Sequence, residues 1–130
     1  MASKITQLEL DDVALVAGFE AGTLAEFRHR EHVRVAFAML ERDGDLAAAA
    51  LAFRRGLRRL GGPKYHETLT WAYLVIIAER MHGRGYRSSQ ELLADHPDLL
   101  DRRLLARHYD LDAIVASPLA RAVFVLPTIR

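Results

Sequence analysis

Apolar side chains recur at helical spacing through most of this chain, and breaks fall between the runs. Residues 11–21 fit a first short helix capped by Asp11 or Asp12, with Gly22 allowing a turn after it. Thr23-Leu-Ala-Glu26 has the form of a capping box, so a second helix is expected to open there and reach about Leu40. Asp43-Gly44 ends it. Asp45 can cap a third helix to about Leu60, whose stripe is Leu46, Ala50, Phe53, Leu57 and Leu60.

Gly61-Gly62-Pro63 is the strongest internal break. The segment after it, roughly 64–81, is apolar on nearly every side and is expected to be the buried central helix. Gly83 and Gly85 close it. Ser88-Ser-Gln-Glu91 is another capping box, and short helices are expected at 89–95 and 98–108. Ser117 and Pro118 suit the cap and first position of a final turn. Ala122–Leu126 reads equally as helix or extended chain. The expected fold is all-α: a small irregular helical bundle of four principal helices plus short ones, in one domain spanning 1–130.

Length and composition agree with a packed core. The chain has 130 residues, 51% of them hydrophobic, and a formal net charge of +1. That balance gives no reason to expect nucleic acid or an anionic membrane. Cysteine is absent, which removes disulfides, thiolate metal ligands and cysteine nucleophiles. No secretory pattern or bilayer-length apolar run appears, so the expected location is cytoplasmic, with no membrane partner.

Candidate chemistry gathers in two histidine segments. If a helix runs from Thr23, turning about 100° per residue, then Glu26, His29, Val33, Ala36 and Leu40 share a face. His32 borders it. In the central helix His66, Thr70, Tyr73 and Ile77 share a face, with Glu67 to one side. Where the helices cross, His29, His32 and His66 could hold a divalent first-row metal, zinc or iron, since neutral imidazoles bind such ions. An open coordination position would then activate water for hydrolysis, or iron would support oxidation. Glu26 or Glu67 would move protons, Tyr73 would orient substrate, and Arg121 would clamp an anionic group. His108 and Tyr109 are weaker candidates to close the pocket, while His82 and His96 look peripheral.

Each residue also has a plainer role. Glu26 can complete the cap, Glu67 can favour a helix N-terminus, and the histidines can satisfy a polar core. Arg28, Arg30, Arg34, Arg54, Arg55, Arg58 and Arg59 read as solvated helix faces. The sequence therefore points first to a small metal-dependent enzyme acting on a compact polar or anionic substrate. The alternatives are a metal-free ligand-binding or structural protein and a histidine acid–base enzyme. The apolar central helix and C-terminal tail leave a homodimer open.

Overall fold

The computed structural model describes residues 7, 10–61 and 65–128. It is an all-α, small irregular bundle. Seven α-helices follow in order among those residues: α1 (Asp12–Ala21), α2 (His29–Asp43), α3 (Leu46–Gly61), α4 (Glu67–Met81), α5 (Ser89–Asp95), α6 (Leu111–Ala116) and α7 (Pro118–Ala122). Gly62 and Pro63 of the expected break lie outside the described residues.

Local chemistry sets most boundaries. Asp11 accepts the Ala14 N–H at 2.8 Å and caps α1. Gly44, at φ 64°, takes the left-handed conformation that ends α2. Ser88 caps α5 through the Glu91 N–H, and Ser117 caps α7 through the Ala120 N–H ahead of Pro118. The expected 98–108 helix is instead two short 3₁₀ turns, Pro97–Leu100 and Leu104–Arg107. Ala122–Leu126 leaves the helix at Val123, which is extended.

The buried central helix is α2, not the 64–81 segment. It packs against α1, α3, α4, α5 and the 97–100 turn, and every residue from Val33 to Leu40 is buried. α4 is apolar all round for another reason: it serves two cores. One face joins α2 and α3 in the main core through Leu74 and Ile77. The other packs Ala72 and Tyr73 against Leu105, Tyr109, Ile114 and Ala120.

Arg34 is the main departure from the solvated-face reading. It is only 2% exposed. Its Nε donates to the Ser89 hydroxyl at 2.9 Å, and its Nη2 donates to the Leu10 carbonyl at 2.6 Å and to Asp12 at 3.3 Å. The Ser89 hydroxyl in turn donates to Asp12 at 2.5 Å, and the Ser89 N–H donates to the other Asp12 oxygen at 2.7 Å. One guanidinium thus joins α1, α2 and α5.

Two packing features frame the site. The Phe19 ring stacks on Phe27 and Phe53, with centroids 4.9 and 5.5 Å away, and lies over Gly56 so closely that a Cβ there would sit 2.2 Å from the ring. Glycine at 56 lets α3 approach that ring. The buried Thr68 hydroxyl serves as the latch of the C-terminal tail: its proton is shared between the Ala120 and Val123 carbonyls, and its oxygen accepts the Val125 N–H.

Candidate functional site

A cleft of about 520 Å³ opens between the start of α2, the end of α3 and the first turns of α4. Its walls are mostly apolar, from Leu24, Phe27, Leu57, Leu60 and Leu69. Its polar lining is supplied by His29, His32, Tyr65, His66, Thr70 and Tyr73. The three histidines selected from helical faces therefore line one cleft together with Tyr73. The hydrogen bonds then assign each ring a different role.

His66 lies just before α4 and is its cap. Its Nδ1 accepts the Leu69 N–H at 3.2 Å, and its Nε2 donates to the Ile114 carbonyl at 2.9 Å. Both ring nitrogens are engaged, and the pairing with a carbonyl fixes the Nε2–H tautomer. His29 donates from Nε2 to the Leu99 carbonyl at 2.8 Å, which leaves Nδ1 with the lone pair. Burial is the main cause that holds its pKa below the usual imidazole value. The Leu99 bond and Asp101 oppose that shift, and Arg102 adds to it.

His32 is the ring left over. It sits in an aromatic nest, edge-on to Phe53 with centroids 4.7 Å apart and tilted against Phe27 at 5.9 Å. The His29 and Tyr73 rings are 6.3 and 5.8 Å away. The residue as a whole keeps some surface, but its Nδ1 is buried. Among the described residues it is the one buried side-chain nitrogen or oxygen without a hydrogen-bond partner. Burial, followed by the nearby His29, pushes its pKa down to about 3.

A histidine whose folded pKa lies below its unfolded value leaves stability intact above about pH 6.5. That stability is lost as pH falls toward the folded pKa, because only the unfolded chain takes up the proton. The expected slope below pH 6 is about 1.4 kcal/mol per pH unit from this one ring. NMR titration should show the His32 ring protons unchanged down to pH 5. A midpoint near 6.5 would contradict this environment.

Tyr73 donates its hydroxyl to the Arg102 carbonyl at 3.1 Å. Burial, then Asp101, raises its pKa to about 12, so it is a neutral donor rather than a base at physiological pH.

The remaining candidates lie elsewhere. Glu26 is outside α2, on an exposed loop, and pairs with Arg28 at 3.4 Å. The expected capping box at Thr23 does not form. Thr23 turns back to the Gly18 carbonyl, and α2 starts six residues later, where Glu31 accepts the Arg28 N–H at 2.9 Å. Glu67 is buried, but its oxygens accept from Trp71 Nε1 at 2.8 Å, Tyr65 at 3.0 Å and Arg54 at 3.4 Å. Arg121 donates to the Val115 carbonyl and does not line the cleft. His108 lines a different cavity, and Tyr109 holds the Val125 carbonyl. His96 bonds Arg80 and Tyr86 away from the cleft.

Among the described residues, no group of three or more histidine and carboxylate side chains is placed to hold a metal ion. His29, His32 and His66 share a cleft without converging as ligands, and His66 has no uncommitted lone pair. Among the same residues, no helix is long and apolar enough to cross a membrane. The residue that sequence reasoning missed is Arg102, whose charge reaches His29. The expected 98–108 helix hid it, since the structure puts Arg102 in the turn between two 3₁₀ segments. Comparison with known proteins finds no matching family model, no similar curated protein and no similar solved structure.

Proposed function

We propose that the cleft is a metal-free binding site for a small molecule with an apolar body and a hydroxyl or carbonyl group. The observation that carries this reading is the unpartnered, buried Nδ1 of His32. Leaving such an atom unpaired costs about 1–3 kcal/mol, and native interiors rarely do so without a reason. A ligand group entering the cleft would supply the missing partner once the His32 ring turns to bring that nitrogen to the cleft surface. The surrounding leucines and Phe27 would cover its apolar part.

Uncharged imidazoles suit this role. A neutral ring donates at one nitrogen and accepts at the other, so it can read a hydroxyl in either sense. The metal-dependent hydrolase or oxidase expected from sequence has less support, because the described residues hold no shared ligand geometry.

One observation favours a second reading, a histidine acid–base enzyme. His29 is neutral, is oriented by the Leu99 carbonyl, and lies with its ring centroid 5.1 Å from that of the Tyr73 donor. A neutral base on the cleft wall can take a proton from a bound ligand, and the Tyr73 hydroxyl would act as its donor partner on exchanging the Arg102 carbonyl for the ligand.

Protein-observed NMR against a library of neutral fragments tests the binding reading. Fragments carrying a hydroxyl or carbonyl should shift the ring signals of His32 and Tyr73, and His32→Phe should abolish those shifts while the protein stays folded. Equal binding to the His32→Phe protein would overturn the assignment.

A further inference from the structure

A second cleft, about 470 Å³, lies on the other side of Tyr73 and Leu69, and those two residues line both. Its remaining walls bring together Leu105, Leu111 and Val115 with Arg102, Arg103 and Asp112. We propose that the two clefts are halves of one groove and that its ligand is a small amphiphilic carboxylate. The apolar body and its hydroxyl or carbonyl group would lie in the histidine cleft, and the carboxylate would lie on Arg102 and Arg103. This deepens the binding reading above and rests on it.

Three features support an anionic end at this place. First, Arg102 and Arg103 are exposed and form no ion pair among the described residues. Of the arginines buried or half-buried in the bundle, Arg34 is used by Asp12, Arg54 by Glu67 and Arg80 by Asp98, all carboxylates of the fold.

Second, neither nearby carboxylate is ion-paired with the two guanidiniums: Asp101 accepts the Arg103 N–H at 2.9 Å, and Asp112 is an exposed residue of the same cleft. Third, the two ends are electrostatically and mechanically linked. The Arg102 guanidinium is close enough to disfavour a proton on His29, and the Arg102 carbonyl holds the Tyr73 hydroxyl between the clefts. Arginine forks onto a carboxylate with two parallel hydrogen bonds, which suits an exposed pair at a cleft mouth.

The sequence assigned the anion clamp to Arg121. The structure places that side chain on Val115 and presents Arg102 and Arg103 beside the histidine cleft instead.

The test compares two probes that differ only at the charged end: para-hydroxyphenylpropionate and the corresponding alcohol, para-hydroxyphenylpropanol. Affinity is read by NMR titration of the full chain, following the ring protons of His32 and Tyr73. The carboxylate should bind about tenfold tighter or more, the value expected for charge-assisted hydrogen bonds at a half-exposed site. In Arg102→Ala/Arg103→Ala the two probes should bind within about twofold of each other. The double variant should fold, because both side chains are exposed and Tyr73 uses the backbone carbonyl of Arg102. Its thermal melt checks this.

Equal affinity of the two probes for the unmodified protein, with His32 shifted by both, would overturn the carboxylate assignment and leave the binding cleft standing. Binding of the carboxylate without a His32 shift would overturn the single groove. No His32 shift from either probe would count against the groove and the cleft together.

Discussion

Arg34→Ala should be the most damaging single substitution in the chain, lowering stability by about 3–5 kcal/mol. The size follows from what remains after the guanidinium is gone. Asp12 keeps its charge in a half-buried position, and the Ser89 hydroxyl and Leu10 carbonyl each lose a donor. For a domain of this length the melting temperature should drop by ~10–20 °C. Arg34→Lys should recover only part of the loss, since one ammonium cannot reach the serine, the carbonyl and the carboxylate with the geometry of the planar fork. A double-mutant cycle with Asp12→Asn should show coupling of about 1 kcal/mol or more. A drop of less than 1 kcal/mol in Arg34→Ala would mean that this network does not join α1, α2 and α5.

His32→Phe should act in the opposite direction, raising stability by about 1–2 kcal/mol while removing ligand binding. The phenyl ring carries no nitrogen to leave unpaired, and its neighbours Phe27 and Phe53 already form an aromatic nest. The acid sensitivity of the fold between pH 6 and pH 4 should shrink in the same variant, because the ring that refuses a proton is gone. Chemical denaturation at pH 7 and pH 5 measures both effects. A stability gain paired with lost binding is the mark of a residue kept for function rather than for packing. A destabilised His32→Phe protein at pH 7 would instead show that the imidazole is satisfied where it sits.

Much of the fold was legible where a local signal decides the backbone. Asp11, Gly44, Ser88, and Ser117 with Pro118 each act within one turn of their own position, and each does what its type suggests. The start of α2 was misread because two patterns overlap. Thr23…Glu26 looks like a capping box, but Gly22 adopts the left-handed conformation and Thr23 folds back on Gly18, so Arg28…Glu31 starts the helix. The central helix was misassigned for a tertiary reason. A helix apolar on all sides can lie in the middle of one core or between two, and α4 does the second.

At the site, helical geometry pointed to His29, His32, His66 and Tyr73, and all four line one cleft, His66 from the cap position just before α4. What it could not show is which nitrogens are already used. The partners of His29 and His66 are the Leu99 and Ile114 carbonyls, far away in sequence and chemically silent there. Arg34 was hidden for the same reason, since its partners come from α5 and the start of α1.

The measurement that bears most directly on the binding site is a long-range ¹H–¹⁵N spectrum of the histidine rings. It should be recorded at pH 7 on protein purified without an affinity tag or added metal. The expected result concerns the three rings that line the cleft. His29 and His66 should appear as Nε2–H tautomers, and the His32 Nδ1 should show the shift of a nitrogen with no hydrogen-bond partner. A His32 nitrogen already bonded within the protein would contradict the binding reading. Nitrogen shifts of metal-bound rings at His29 and His32 would contradict its metal-free character.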